Sequence, residues 1–277
     1  MSTFSHPRLT FITGKGGVGK TALALALTKS LKDRGFKVQY NCFDQTAHLS
    51  ICQKLELKSL ELDTVKSAEV YMGKKLGGQT IARWVMKTPF FHSLFHMLPG
   101  LGMMIVLGHL IDLLENDPEL HLIVDSPSSG HALTMFEASH NFKEMFVSGK
   151  IVEDINRMHN FLYSQENVQV KIVGLPTLMA LQESEELKKS IQQLNLKNVQ
   201  LYINDTYHLS QEIQQHQSKD PAGKELPEFL KLKLQNERQV LENHREDVTL
   251  TTPHYSDEKM EMVVRNLAEF LKQNAKG

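Results

Sequence analysis

An α/β protein with a mainly parallel sheet flanked by helices is predicted by two patterns in these 277 residues. Short apolar runs suited to buried parallel strands alternate with longer helical patterns, which is the mark of βαβ units. A glycine-rich loop joins the first apolar run to the first helical one. Composition agrees with a folded chain, since 41% of residues are hydrophobic and 23% are charged, close to ordinary globular usage.

The elements follow in order. Leu9 to Thr13 (LTFIT) reads as the first strand. Ala22 to Arg34 reads as a helix, with Leu23, Leu27 and Leu31 four apart and Gly35 closing it. Val38, Tyr40 and Cys42 alternate towards Asp44 as a second strand, and His121 to Asp125 (HLIVD) is the third, again ending in aspartate. Val168 to Leu175 and Val199 to Asn204 are two more, and Asp247 to Thr251 is a weaker one. Helical patterns run from Leu178 to Leu194 and from Asp257 to Gln273. Residues 60–117 hold no convincing strand, so a helical subdomain inserted between the second and third strands is expected within one domain spanning 1–277. Residues 219–233 (SKDPAGKELPEFLK, from Ser218 on) read as a surface connection.

Charge and cysteine usage exclude several function classes. Lys and Arg number 31 against 32 Asp and Glu; no basic excess argues for nucleic acid and no acidic tail for a basic partner. The N-terminus lacks the charged and apolar regions of a secretory signal. The longest apolar stretch, Met97 to Leu107, contains Pro99, Gly100 and Gly102 and is too short to span a bilayer, which takes about 20 residues. Cys42 and Cys52 form no CxxC pair and no disulfide framework, so a reducing cytoplasm is the expected setting, with no structural zinc.

Gly14-Lys15-Gly16-Gly17-Val18-Gly19-Lys20-Thr21 fits G-x-x-x-x-G-K-[ST], between a strand and a helix as that motif requires. Glycines let backbone N–H groups curl around phosphate oxygens, and the helix N-terminus adds its dipole. Lys20 is expected at the β- and γ-phosphates, and the Thr21 hydroxyl at Mg²⁺. Lys15 is surplus to an ordinary phosphate loop; taken alone it reads as a solvated loop charge.

The run GKGGVGKT resembles the deviant Walker A motif of the ArsA/MinD/ParA class of dimeric ATPases. That resemblance implies that Lys15 reaches across a dimer to the partner's nucleotide, like an arginine finger. Asp125-Ser126-Pro127-Ser128-Ser129-Gly130-His131 resembles the switch II motif D-[TA]-[AP]-x-[TA]-G-H of the arsenical-pump-driving (ArsA-type) ATPase family, which includes the ATPase that targets tail-anchored membrane proteins. By that likeness Asp125 holds Mg²⁺ through water. Asp44-Gln45-Thr46-Ala47-His48-Leu49 resembles the family's switch I, D-P-A-H-[SN]-L, with Gln45 for Pro and the Ala-His pair displaced by one. Asp44 then falls where the catalytic aspartate positions the attacking water. Leu98-Pro99-Gly100-Leu101 and Leu175-Pro176 before Glu183-Ser184 match further elements of the family. Asn204 falls at the strand end that reads adenine, though a plain strand-end turn is the other reading, and Pro253 falls where the adenine pocket closes.

The resemblance implies a cytoplasmic, Mg²⁺-dependent ATPase that hydrolyses ATP in a nucleotide-gated dimer, with itself or a paralogue, and moves a partner. Two cysteines are poor grounds for a metalloid site. The Met and aromatic residues between 82 and 107, including Trp84, Met86, Phe91, Phe95, Met97, Met103 and Met104, suit either a client groove or the greasy face of helices on the sheet. The C-terminal helix carries an apolar stripe but balanced charges, which favours packing on the sheet over a membrane surface. An ATP-binding targeting factor or clamp with negligible turnover stays open because of Gln45. A small-molecule kinase is less favoured, since residues 82–107 are greasy, and the chain lacks the NKxD motif of a GTPase.

Overall fold

The computed structural model describes residues 6–43, 48–62, 64–89, 93, 97, 100–127, 129–145, 150–210, 213–214 and 226–274. The elements in chain order are β1 (Leu9–Gly14), α1 (Lys20–Asp33), β2 (Lys37–Asn41), α2 (Leu49–Lys54), β3 (Ser59–Leu60), α3 (Thr64–Leu76), α4 (Gln79–Met86), α5 (Leu101–Asn116), β4 (Leu120–Asp125), α6 (Ser129–Met145), α7 (Lys150–Leu162), β5 (Val168–Gly174), α8 (Leu178–Gln193), β6 (Val199–Thr206), a 3-10 turn (Tyr207–Leu209), α9 (Glu228–Asn243), β7 (Leu250–Pro253) and α10 (Met260–Asn274). The strands form one sheet in the order β3-β2-β4-β1-β5-β6-β7, and every pairing is parallel.

Parallel pairing forces each crossover over a face of the sheet, so both faces are covered and β1, β4 and β5 are buried at nearly every position. Alternation then sorts them. Leu9 and Phe11 of β1, Leu122 and Val124 of β4, Val170 and Ile172 of β5, and Leu201 and Ile203 of β6 pack with α5, α6 and α8. On that side Phe11 meets Phe136 edge to face, with ring centroids 5.4 Å apart. Ile12, Tyr40, Ile123 and Val173 point the other way and pack with α1, α2 and α10. Each fully buried Leu, Ile or Phe contributes about 1.5–3 kcal/mol relative to exposure. α10 buries Val264, Leu267 and Leu271 against α1, the sheet-packing alternative for the apolar stripe. No helix among the described residues is long and apolar enough to cross a membrane.

Three sequence expectations shift. The stretch 219–233 was expected to be a connection, yet residues 228–233 begin α9; Leu230, Leu232 and Leu234 alternate with lysines, a period of two that hides the helix. The two-residue β3 extends the sheet at its edge, so the helices α3 to α5 follow the third strand rather than the second. The last strand begins at Leu250 rather than Asp247 and includes Pro253 as its final residue, where an edge strand tolerates a missing N–H.

The Met and aromatic stretch divides. Met104, Ile105, Val106 and Leu107 are core, whereas Trp84 is 72% exposed and Met97 77%. Phe91, Phe95, Leu98 and Pro99 lie outside the described residues.

Candidate functional site

The loop from Gly14 to Lys20 leaves the C-terminal end of β1 at the middle of the sheet, where ligands of open α/β sheets bind. Two glycines are fixed by close approach. Gly14 has φ +145°, and a Cβ there would overlap the Val173 carbonyl oxygen of β5. Gly19, the left-handed N-cap of α1 at φ +91°, has no room for a Cβ beside the Asn204 side-chain amide. The Lys20 ammonium donates to the Lys15 carbonyl at 2.9 Å and so holds the loop curled. Burial pulls the Lys20 amine below its usual value, and Asp125 opposes that shift.

Thr21, in the first turn of α1, donates its hydroxyl to Asp125 Oδ2 at 2.7 Å, and Tyr40 on β2 donates to the same oxygen at 3.0 Å. Asp125 is 3% exposed at the end of β4. Burial pushes its carboxyl up; the hydrogen bonds from Thr21 and Tyr40 and the charges of Lys20 and His48 pull against that. The Ser126 N–H donates to the Ile12 carbonyl at 2.9 Å, which pins the strand end beside the loop. The hydroxyls of Thr13 and Ser126 are buried with no hydrogen-bond partner among the described residues. A hydroxyl and a carboxylate oxygen beside a phosphate cradle are the hard donors Mg²⁺ takes, and Mg²⁺ needs only one or two protein ligands with water and phosphate completing the shell. The residues present therefore fit that ion.

Lys15 has a partner within its own subunit. Its Nζ lies 2.6 Å from Glu183 Oε1 on α8, in an exposed pair. A cavity of about 230 Å³ sits there, lined by Gly14, Lys15, Ser129, Glu183, Ser184 and Leu187.

Asn204 is placed by a break in register. β6 pairs with β7 at Ile203 and again at Thr206, and between them Asp205 takes a left-handed φ of +66°. Such irregularities re-aim side chains beside functional sites. Asn204 Nδ2 donates to the Val18 carbonyl at 3.0 Å, and Asn204 Oδ1 accepts from Thr252 Oγ1 at 2.6 Å. Its amide thus ties the phosphate loop to the edge strand. Pro253 is buried next to Thr252. Just beyond, His254 Nδ1 lies 2.6 Å from Asp205 Oδ1 and the His254 ring stacks on Tyr207 with centroids 4.1 Å apart. A larger cavity, about 740 Å³, adjoins this region between Leu175, Pro176, Asp205, Phe229 and Lys233.

The structure thus brings together Gly14, Lys20, Thr21, Asp125 and Asn204, with Lys15 on the loop's outer side. Asp44, Gln45, Thr46, Ala47 and Ser128 lie outside the described residues, as does the side chain of His131. The residue before Asp44 is informative: Phe43 is buried at φ +48°, with its N–H bound to Asn41 Oδ1 at 3.0 Å. A bulky residue held in the left-handed region is strain of order 1–3 kcal/mol, which gathers at functional segments. Sequence reading missed Tyr40, Glu183 and the Asp205–His254–Tyr207 group. Glu183 was noted only within a family-like segment, with no role beside Lys15; no motif marks the others, and Tyr40 looked like one more core residue of an alternating strand.

Fold and site together define a nucleotide-binding P-loop domain. Residues 9–228 match the family model described as the CobQ/CobB/MinD/ParA nucleotide binding domain, and the chain belongs to that family. An arsenical pump-driving ATPase of Escherichia coli is 23% identical over 224 residues, 75% of this chain and 36% of that protein. A second such ATPase from the same organism is 23% identical over 249 residues, 84% of this chain and 40% of its own. One from Acidiphilium multivorum is 41% identical over 61 residues, 22% of this chain and 10% of that protein. The ArsA-type resemblance read from the motifs is borne out by these relatives. The chain spans about two-fifths of the length of the two Escherichia coli proteins.

Proposed function

We propose that this chain is a cytoplasmic, Mg²⁺-dependent ATPase that hydrolyses ATP in a dimer closed by nucleotide, and that it converts closure and release into movement of a partner. The observation that carries this is the phosphate cradle: a loop closed by Lys20, with the Thr21 hydroxyl and the Asp125 carboxylate held side by side next to it. Lys20 neutralises the β- and γ-phosphates, and the loop N–H groups bind their oxygens. Thr21 donates its hydroxyl proton to Asp125 in a hydrogen bond and would hold the cation through its oxygen, with Asp125 acting from behind Thr21 through water. Bound Mg²⁺ supplies charge neutralisation on the phosphates. Asp44 orients the attacking water and takes its proton as the bond from the γ-phosphorus to the bridging oxygen breaks. Asn204 and Pro253 frame the base next to the larger cavity.

Lys15 serves the nucleotide of the opposite subunit, an identical chain or a paralogue. In the single chain it rests on Glu183, and closing the dimer exchanges that contact for the partner's nucleotide. The exposed Trp84 and Met97 support a protein or membrane-protein client on residues 82–107. We read 1–277 as one domain, with the helices of 60–117 as its client-facing subdomain. Both cysteines are buried, and burial pushes the Cys52 thiol up to about 11, with Cys42 adding to it; neither suits a metalloid.

Single-turnover hydrolysis measured beside nucleotide affinity tests the reading, with sedimentation in Mg·ATP against ADP as the readout of closure. Tight ATP binding with conversion of the bound ATP to ADP supports the enzyme. Tight binding with no conversion would mean a clamp, the outcome that Gln45 in switch I keeps in view.

A further inference from the structure

A second cationic centre lies towards the other end of the strands, on the face covered by α1 and α10. Alternation sends Gln169 and Lys171 of β5, and Gln200 and Tyr202 of β6, to this face, with Thr10 of β1 level with Gln169. On β1 the same face is apolar at Ile12, level with Lys171, and on β5 it turns apolar one step beyond, at Val173. Lys171 is 6% exposed. Its Nζ donates to Gln200 Oε1 at 2.6 Å and to the Tyr202 hydroxyl at 2.8 Å, and lies 4.5 Å from the Tyr202 ring centroid. All of these partners are neutral.

A cavity of about 230 Å³ opens against this lysine, bounded also by His6, Arg34, Gln169, Gln200 and Tyr202. No Asp or Glu lines it among the described residues. Gln200 and Tyr202 meet Lys171 through their oxygens, which leaves an amide NH₂ and a phenolic proton as further donors. Arg34 adds an exposed guanidinium at the mouth, and His6 Nε2 is buried with no hydrogen-bond partner among the described residues. A buried ammonium without an opposite charge is costly, and methionine or leucine would fill the same strand position without that cost. The cavity is too small for a nucleotide, and it lies apart from the phosphate loop, which is set at the Val173 level of β5.

We propose that this cavity is a second ligand site, which takes the carboxylate or phosphate group of a small anion against Lys171, with Gln200, Tyr202 and Arg34 as further donors. Binding of an oxyanion favours the charged amine, so it takes up a proton and raises the pKa of Lys171, which burial alone brings to about 7. The groups around it do not titrate in the same range. His6 is lowered to about 4 by burial and then by Arg34, His121 and Lys171; Tyr202 is pushed up to about 12 by burial; His121 is lowered, also by burial.

The test uses the whole chain with ¹³C-labelled lysine, held in saturating Mg·ADP so that the phosphate loop is filled. The Lys171 Cε signal, assigned by its absence from Lys171→Met, is titrated with pH in buffer alone, in malonate and in inorganic phosphate. If Lys171→Met does not fold, Lys171→Arg supplies the assignment, and the wild-type titration still decides. The expected result is a rise of about one pH unit or more in at least one anion, equivalent to about tenfold tighter binding to the charged amine. A response to malonate alone assigns a carboxylate, to phosphate alone a phosphate, and to both a general oxyanion site. A Lys171 titration unmoved by both anions overturns the proposal, even if phosphate binds elsewhere, because the Cε signal reports only its own surroundings.

Discussion

Lys20, at the start of α1, is half-buried and Lys171, on β5, is buried, and their surroundings differ in kind. Lys20 closes a loop of backbone N–H groups and has Asp125 within electrostatic reach. Lys171 sits on a strand among amides and a phenol, with no carboxylate lining its cavity among the described residues. Burial lowers both amines, but only Lys20 has a counter-charge opposing the shift. A sequence motif announces the first lysine because the backbone around it must be glycine. Nothing announces the second, because a strand accepts any side chain, and the need for charge shows only when the strands are paired.

The comparison can be sharpened by substitution. Asp44→Asn should leave ATP affinity intact and slow hydrolysis by roughly 10²- to 10⁴-fold, the range for a lost general base; single-turnover rates check it, and full activity would move the water-positioning role elsewhere. Lys20→Ala should weaken ATP binding by about 10- to 100-fold or more, since a charge-assisted contact to phosphate is removed; calorimetric affinity unchanged from wild type would break the contrast at its stronger end.

The third prediction concerns pH. The folded-state pKa of Lys171 lies below its unfolded value, so between about 7 and the ordinary lysine value of 10.5 the unfolded chain binds more protons. Stability contributed at this position therefore rises with pH across that window, by at most about 1.4 kcal/mol per unit, and its cost is fully present below the window. Urea midpoints at pH 6, 8 and 9 should climb more steeply in wild type than in Lys171→Met. Parallel slopes would mean that the amine is already compensated.

The smallest effect belongs to Glu183. The Lys15–Glu183 pair is exposed on both sides, 63% and 42%, so Glu183→Gln should shift ATP-driven association by no more than about fivefold. Lys15→Ala, by contrast, should bind ATP yet lose most turnover and most association. A Lys15→Ala protein that hydrolyses ATP normally as a monomer would remove the trans role altogether.

The phosphate loop, the strand–helix alternation and the aspartate at 125 were legible because each depends on local chemistry: glycine dihedrals, apolar runs, a strand-end carboxylate. Helix α9 was not, since its leucines at 230, 232 and 234 alternate with lysines as a strand would. Tyr40 and Glu183 reach the site from β2 and α8, 85 and 168 residues from their partners, and no spacing in the sequence encodes such distances. Asn204 was found from its strand end, but its ties to Val18 and Thr252 depend on the skipped register between Ile203 and Thr206.

Those ties set an order of events in synthesis. The loop at 14–21 leaves the ribosome well before the amide that fastens its Val18 carbonyl, which arrives at 204, the hydroxyl that aims that amide, at 252, and the helix that packs on α1, at 260–274. A nascent chain therefore carries the whole phosphate motif without the means to hold it in shape until those later residues emerge. Competence for nucleotide should come late, and abruptly, once the edge strand has docked.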